Sequence, residues 1–415
     1  MLKKTAPTFI ILLLAGTACV WSRDVALTVE GASAHALRHN ADLAAARLRI
    51  DEAGGRLRQA GRFSNPEIEA EYRQNVRSRE NTVGIALTQK FPLTARLRLE
   101  KAVSTAQLAA AEAEVRDAGR LLAADVQAAA VRLLALRGRH ALAERQLGNS
   151  REMADFTSRR VSLGEASATD ALQVELEAQQ LATELLRLDA EGAALAAALR
   201  PLLGLGAADS VEITGALAEP APREWRASPG ERADIAALRH HAEAARHGAA
   251  LAKAQRWEDI GVGVIAGRER AEDVPAGLQT DTTVGVKVSF PLPLWNRNEG
   301  RIAETAAAAA RRQQEVDALA VRAAAEAAGA RTEMRALAKL AVQLDAVLLP
   351  KSAQVEEQLR AAYGTGQAAL PDVLRARDQR LQLRRQQLDA LRDYHLARIR
   401  HAAATGAILT QSKSK

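Results

Sequence analysis

The chain has 415 residues, of which 3% are aromatic and one is cysteine, and its formal net charge is +7 at pH 7. The scarcity of aromatic side chains argues against a conventional globular enzyme core, whereas abundant alanine, leucine, arginine and glutamate are typical of long packed helices. The positive surplus is small, and basic side chains alternate with acidic ones rather than clustering with aromatic ones. This pattern argues against nucleic acid as a partner.

Residues 1–18 are predicted to be an export signal. Lys3 and Lys4 precede an apolar run from Phe9 to Leu14 that is too short to span a bilayer, and Gly16-Thr17-Ala18 forms a small-residue cleavage region. Cys19 follows directly and is a candidate for lipidation as the first residue of a mature lipoprotein. The alternatives are that Cys19 is removed with the signal or remains an inert thiol.

The first half of the remaining chain, residues 19–210, combines helical and strand patterns. A helix is expected over residues 26–60, and Pro66 ends that periodicity. From about residue 64 to 91 apolar and charged residues alternate, as in Ile68, Ala70 and Tyr72, which predicts a β-hairpin. A helical hairpin is then predicted over about residues 94–203, with its turn at Gly164.

The second half repeats the first. Phe91-Pro92-Leu93 returns as Phe290-Pro291-Leu292, and the segment that begins at Gly164 returns at Gly366 with nearly the same offset. Residues 211–229 are predicted to be a linker. The repeat covers residues 230–406, with strands over about 257–291 and a helical hairpin over about 296–405, and residues 407–415 form a polar tail.

The four predicted strands are each about 10 residues long with one apolar face, which matches tilted strands that cross a bilayer. Four strands cannot close a barrel, and open edges are excluded from lipid, so symmetric copies of the chain are expected to pair with them. Half of the aromatic residues lie in or beside these strands. They are predicted to mark the membrane interfaces, the alternative being the core of a small soluble sheet: Phe63, Tyr72, Phe91, Trp257, Phe290 and Trp295.

Residues with catalytic chemistry form no recognisable pattern. The sequence contains no nucleophile elbow, phosphate loop or paired-cysteine motif, so we expect neither an enzyme nor a cofactor. His240, His241 and His247 are the one cluster that suggests metal binding. A tight site needs further ligands and a second shell, so solvated histidines on a helix are the preferred interpretation and no metal site is predicted.

The order of signal, helix, strand hairpin, long helix, glycine turn and helix, all repeated except the signal, resembles the TolC family of outer-membrane channel proteins. The resemblance covers nearly the whole mature chain and is carried also by the turn motif Gly366 to Leu374. The run Phe290 to Gly300 is similar to the branch that serves heavy-metal efflux, the CzcC-like proteins.

This resemblance implies a mainly α-helical fold with a β-barrel portion. Three copies would form a 12-stranded barrel in the bacterial outer membrane, continuous with a periplasmic α-helical barrel. The implied partners are outer-membrane lipid, a periplasmic adaptor protein and an inner-membrane RND transporter. The implied function is a passive exit duct of a tripartite efflux system, for heavy-metal cations.

Two alternatives stay open for the function. One is a channel for drug efflux or type I protein secretion. The other, from a different class, is a soluble periplasmic coiled-coil scaffold or an adaptor.

The resemblance also implies roles for residues at the helical turns. Asp372 occupies the place of a gate aspartate, and Arg375 is expected to join it in a pore-closing network. The plain alternative is a carboxylate that favours a helix N-terminus, a role also open to Asp170. The predicted adaptor-docking positions, some of which would otherwise simply close their own helical hairpin, are Leu163, Gly164, Ala166, Asp170, Gly366, Leu370 and Val373.

Overall fold

The computed structural model describes residues 24–77, 79–220, 232–273 and 275–406. The predicted signal, Cys19, the polar tail and much of the predicted linker lie outside these residues. The first repeat contains β1 (Asp24–Leu27), α1 (Val29–His39), α2 (Ala41–Gln59), β2 (Glu67–Gln74), β3 (Asn81–Phe91), α3 (Arg96–Ser162) and α4 (Ala168–Leu203). After β4 (Ser210–Ile213), the second contains α5 (Ala233–Ala254), β5 (Ile260–Asp273), β6 (Gly277–Ser289), α6 (Glu299–Gln343), a π-helical turn (Leu344–Leu348), α7 (Leu349–Gly364) and α8 (Leu370–Ala404).

The helix expected over residues 26–60 is divided by capping side chains. Thr28 accepts a hydrogen bond from Gly31 N and starts α1, after a short strand that the periodicity did not indicate. Asn40 has an extended backbone, and its Oδ1 accepts from Leu43 N at 2.8 Å to start α2. Its Nδ2 donates to the carbonyl oxygens of Pro201 and Leu202, so the break also attaches α2 to the end of α4.

The first helical hairpin consists of α3, with 67 residues, and α4, with 36. At 1.5 Å per residue α3 is about 100 Å long. Leucine and alanine fill the seam between the two helices: Leu136 packs with Leu188, and Leu147 packs with Leu181. Leu181 and Leu188 lie seven residues apart, the spacing of a packed helical seam.

The second long helix differs from the expected continuous one because the π-helical turn separates α6 from α7. Pro350 lies in the first turn of α7 and has no N–H to donate to the preceding turn. The Leu349 N–H bonds to the Leu344 carbonyl, five residues back, so the helix widens by one residue and continues.

A two-stranded parallel sheet lies beside the middle of α3. β1 pairs with β4, whose residues Val211–Ile213 fall in the interval predicted to be a linker. Ile213 is buried with Ala32, Val126 and Leu199. At the end of α4, Gly204 has φ of 71°, and a Cβ there would lie 2.1 Å from the His39 carbonyl oxygen, so the close approach of α1 requires glycine.

The two β-hairpins join into one antiparallel sheet in the order β2-β3-β5-β6. The central pairing, β3 with β5, places Phe91 opposite Ile260 and Val83 opposite Arg268. Each repeat therefore contributes half of a single sheet, and all the long helices leave that sheet at the end marked by Phe91.

Candidate functional site

One face of the four-stranded sheet is apolar and exposed. The strand register aligns Ile68 with Leu87 and Val264 with Val286, so that apolar side chains from all four strands share this face. Val284, Val286 and Val288 are 81%, 73% and 67% exposed. Exposure of such a continuous apolar surface to water is unfavourable, so a surface of this kind is typical of contact with lipid or another chain. On β3 this face extends about 27 Å from Val83 to Phe91 and is interrupted by Gln89; on β5 its apolar part ends at Ala266, since Arg268 lies opposite Val83. With the tilt of about 40° usual for barrel strands, this length corresponds to a height of about 20 Å, somewhat less than the apolar band of membrane barrels.

The opposite face carries glycine and charge. Lys90 Nζ lies 2.6 Å from Glu67 Oε1, and Lys287 Nζ lies 3.7 Å from Glu69 Oε2. A Cβ at Gly263 would lie 2.8 Å from the Leu87 carbonyl oxygen. Neighbouring strands thus crowd this face, as happens on the inner side of a sheet that bends toward it. The two faces suit a barrel whose exterior is apolar and whose interior is polar.

The sheet's outer strands, β2 and β6, each have one partner strand among the described residues. Their other edges keep a row of backbone donors and acceptors. Such edges are tolerated in lipid only when another strand pairs with them.

The predicted interface aromatics lie mainly at the sheet end next to the helices. Phe63 and Phe91 are in an edge-to-face arrangement with ring centroids 6.4 Å apart, and Trp257 and Phe290 lie 6.1 Å apart. Trp295 is 94% exposed in the loop that leads to α6. Tyr72 lies toward the other end of the sheet, where its hydroxyl donates to Gln74 Oε1. The six side chains therefore mark both ends of the apolar face, five at one end and one at the other.

The two helical turns have the same backbone geometry. Gly164 and Gly366 have φ of 78° and 77°, the left-handed conformation that ends a helix. The residue after each glycine donates its N–H to a carbonyl five residues back: Glu165 to Arg160 and Gln367 to Ala362. Ser167 caps α4: its side-chain oxygen accepts a hydrogen bond from Thr169 N.

The predicted docking residues divide into exposed and buried groups. Leu163 is 72% exposed at the first turn, and Gly164 and Gly366 are exposed as well. Ala166 and Asp170 are half-buried. Leu370 and Val373 are each only 2% exposed, because they pack with Val174 and Tyr363 between the two helical hairpins. Within one chain these two residues close the helical core instead of facing outward.

The candidate gate residues pair with each other. Arg375 Nη1 lies 3.4 Å from Asp372 Oδ1, one turn apart on α8. Their side chains are 78% and 45% exposed, so both are accessible at the end of the second hairpin. A carboxylate at this position has a cation of its own chain beside it.

A polar network near the turns was not foreseen from the sequence. Arg377, only 6% exposed, donates to the Gln146 carbonyl oxygen at 3.1 Å and lies 3.4 Å from Glu177 Oε1. Ser150 donates to the same carboxylate oxygen of Glu177. Only the packing of α8 against α3 and α4 brings these groups together, and no spacing within one helix indicates it.

A groove of about 380 Å³ lies beside this network, between α3 and the second hairpin. Met153, Phe156 and Tyr363 line it together with Glu152 and Arg360. The Arg160 guanidinium lies 5.2 Å from the ring centroid of Tyr363 and 5.9 Å from that of Phe156. The contact with Tyr363 attaches α7 to α3, whereas Phe156 lies on α3 itself.

The histidine cluster on α5 is dispersed among carboxylates. His241 Nε2 lies 2.6 Å from Glu114 Oε1 on α3, and Glu243 lies near both His240 and His247. The described residues contain no group of three or more histidine, cysteine, aspartate or glutamate side chains arranged to hold a metal ion. Among the same residues, no helix is both long and apolar enough to cross a membrane.

Solved structures with this architecture are outer-membrane proteins. VceC from Vibrio cholerae is 22% identical, with a TM-score of 0.75 over 91% of this chain and 96% of that one. CusC is 18% identical, with a TM-score of 0.76 over 92% of each chain. The open state of the MtrE outer-membrane channel from Neisseria gonorrhoeae is 16% identical, with a TM-score of 0.74 over 93% of this chain and 91% of that one. The predicted fold class is thereby confirmed: the chain has the fold of outer-membrane channel proteins.

A comparison of the sequence with known protein families gives a match over part of the chain. Residues 32–205 match the profile of a family described as outer membrane efflux protein. This range covers most of the first repeat, from α1 through the first helical hairpin to the end of α4. No curated protein sequence matches the chain significantly.

Proposed function

We propose that the protein is an outer membrane efflux protein: a trimeric channel whose strands cross the outer membrane and whose helices form a passive exit duct in the periplasm. The observation that carries this proposal is the apolar, exposed face of a sheet whose two outer strands each have a single partner strand in the part of the chain that the structure describes. The match of residues 32–205 to the efflux family supports it.

The strand directions allow copies of the chain to pair edge to edge, and three copies fit the proposed trimer. Each strand of the order β2-β3-β5-β6 is antiparallel to its neighbour, so β6 of one copy runs antiparallel to β2 of the next. Three copies would give twelve strands, an even number as in bacterial outer-membrane barrels. Closure by pairing of edges would give β2 and β6 the second partner strand that they lack among the described residues.

The helices offer a matching surface for the same assembly. Leu172, Leu176 and Leu186 of α4 lie on one side of the helix and are 65%, 59% and 72% exposed. Val321 of α6 is 72% exposed. In a trimer these side chains would be covered by the neighbouring copy, which would extend the duct below the barrel.

Purification tests the assembly. The full-length protein, expressed with its leader and extracted from outer membranes in mild detergent, should have the mass of a trimer and form ion-conducting pores in planar bilayers. A water-soluble monomer or dimer obtained without detergent would instead support the coiled-coil scaffold or the adaptor, and would overturn the channel.

For the substrate, we propose heavy-metal cations. This proposal depends on the run Phe290 to Gly300 and on its likeness to the metal-efflux branch. Drug efflux and type I protein secretion are the competing channel functions. Deletion of the gene in its native host should raise sensitivity to metal salts such as those of zinc, cobalt or copper, with unchanged sensitivity to hydrophobic drugs. The reverse pattern would favour drug efflux.

For the partners, we propose that a periplasmic adaptor and an inner-membrane RND transporter act with the channel. The exposed tip residues Leu163, Gly164 and Gly366 support docking at the end of the helices. Leu370 and Val373 are withdrawn from the proposed contact surface because their side chains are already buried within the chain. Site-specific photo-crosslinking from position 163 in intact cells should capture the adaptor, and the same crosslinker at Leu48 of α2, which is 60% exposed and far from the turns, should not.

A further inference from the structure

The helix-proximal end of the sheet carries a band of exposed cations beside exposed apolar side chains. We define the collar as six cations, Arg62, Arg98, Lys101, Arg256, Arg297 and Arg301, all of them exposed. We propose that the collar binds the phosphate groups of anionic phospholipids in the leaflet that contacts this end of the sheet. The inference rests on the proposed membrane placement and adds to it the chemistry of the lipid that is recognised.

The apolar side chains of this region establish where the acyl region of a bilayer would end. By strand alternation Phe91 and Phe290 continue the apolar face, and they are 43% and 47% exposed. Beyond them, Leu292, Leu294 and Trp295 are 58%, 59% and 94% exposed in the loop before α6. Exposed aromatic and aliphatic side chains at the margin of an apolar face are typical of the zone between acyl chains and headgroups.

The collar cations have no carboxylate partner within 4.0 Å among the described residues. Arg62 donates its Nε to the Arg58 carbonyl oxygen, which leaves the two terminal nitrogens of its guanidinium available. Arg96, which lies in the same region, shows the contrast: its guanidinium binds Asp259 at 2.6 Å and Glu100 at 2.7 Å. The collar therefore has N–H donors without a carboxylate partner within 4.0 Å among the described residues, at the margin of the apolar face where lipid phosphates would lie.

Both repeats build the collar in the same way. An arginine followed by an aromatic residue precedes the first strand of each hairpin, as Arg62-Phe63 and Arg256-Trp257. Exposed cations also lie at or just before the start of the helix that follows each hairpin, with Arg98 on α3 and Arg297 before α6. In the second half the exposed carboxylates of Glu258, Glu299 and Glu304 equal the three collar cations in number, so the net positive charge of the collar comes from Arg62, Arg98 and Lys101 of the first half.

Two properties favour a phospholipid over an acidic protein. The cations adjoin apolar side chains that match the depth of acyl chains, and a trimer would repeat them around the whole circumference. Arginine binds phosphate oxygens through two parallel N–H donors, and lysine does so as a point charge. Anionic surfaces attract such cations about fivefold more strongly for each added charge.

Tryptophan fluorescence tests the inference, since Trp257 and Trp295 lie in this region. The full-length protein would be reconstituted in vesicles of phosphatidylcholine with rising fractions of brominated phosphatidylglycerol, or of brominated phosphatidylcholine as the reference. We expect half-maximal quenching at a several-fold lower fraction of the anionic lipid, and this preference should weaken as salt is added.

Variants identify the residues. The triple change Arg98→Gln, Arg256→Gln and Arg297→Gln should abolish the several-fold preference, so that both lipids quench at similar fractions. The matched triple change Arg151→Gln, Arg322→Gln and Arg335→Gln removes three exposed arginines of the long helices and should leave the preference intact.

Three other outcomes would overturn the lipid-binding proposal, and they differ in what they imply for the channel. Equal quenching by both lipids in a protein that inserts and conducts would overturn the collar and leave the channel proposal standing. Failure to insert into any vesicle would overturn both. Millimolar inorganic phosphate that abolishes the preference would reveal a general anion site and overturn the assignment to lipid.

Discussion

At the residue scale, Asp372 and Arg375 illustrate how two charges at the end of a helix can serve structure and function together. Both lie in the first turns of α8, where a carboxylate favours the positive end of the helix dipole by about 0.3 to 1 kcal/mol. Because the two side chains lie 3.4 Å apart, they form an ion pair, which has no net charge. A ring of three such pairs would avoid the repulsion expected of three bare carboxylates.

Replacement of Asp372 tests the gate assignment. Asp372→Ala leaves Arg375 without its partner, so a closed state held by this network should open more often, with raised open probability in single-channel recordings. Asp170→Ala is the matched control, because Asp170 has the same place after the first turn and is not assigned to the gate. Unchanged conductance and opening in Asp372→Ala would remove the residue from the gate.

His395 makes stability depend on pH. Burial lowers the pKa of this imidazole, although the Ala218 carbonyl oxygen, which accepts from Nε2 at 2.8 Å, acts in the opposite direction. The unfolded chain therefore takes up its proton before the folded chain does, and stability is full at neutral pH and falls as the pH drops below about 6.5. His395→Gln keeps a neutral donor, so its thermal midpoint should decrease less than that of the wild type between pH 7.5 and 5.5. An identical decrease in both proteins would contradict this account.

At the scale of elements, the Arg377 network holds α8 against the first helical hairpin. Arg377→Met would leave Glu177, whose side chain is 18% exposed, without its cation and should lower the free energy of unfolding by about 2 to 3 kcal/mol. Arg380→Met is the control: its partner Glu356 lies 3.0 Å away, but Arg380 is 48% exposed, so the loss should be below about 1 kcal/mol. Denaturant titration in detergent measures both. Equal losses would show that burial is not what strengthens the Arg377 pair.

The two faces of β6 should respond oppositely to a new charge. Val286→Arg places a cation on the apolar face and should cost about 2 to 4 kcal/mol if that position lies near the middle of the bilayer. Thr283→Arg adds the same side chain on the glycine and charge face, where water would solvate it, and should be tolerated. The measurement is the free energy of folding into lipid vesicles. Equal tolerance of both substitutions would mean that the apolar face does not contact lipid.

At the scale of the whole molecule, a single chain leaves sheet edges and apolar helix side chains exposed that the proposed trimer would cover. The edges of β2 and β6 that lack a second partner strand within the described ranges, and the exposed leucines of α4, are separated along the chain, yet all of them would be covered in the proposed trimer. Leu176→Glu would bury a charge in that contact and should shift the trimer toward monomers, as seen by analytical ultracentrifugation in detergent. Gln173→Glu adds a charge on the flank of the same helix and should leave the trimer intact.

The sequence by itself determined most elements of this protein, the exceptions being the short strands β1 and β4. Alternation of Ile68, Ala70 and Tyr72 with charged residues defined a strand, and the repeated glycine turns predicted where the long helices reverse, because both are local properties of backbone and side-chain spacing. The order of the elements also supported the resemblance to outer-membrane channels. Capping by Asn40 and the π-helical turn before Pro350 altered boundaries only.

The tertiary structure alone decided which elements meet. It joined the two hairpins through β3 and β5, paired β1 with the supposed linker strand β4, and buried Leu370 and Val373, which sequence spacing had left equally suited to docking. It also assembled Arg377, Gln146 and Glu177 from three helices. Contacts between residues distant along the chain depend on how helices cross and sheets bend, and no periodicity within one segment encodes those geometries.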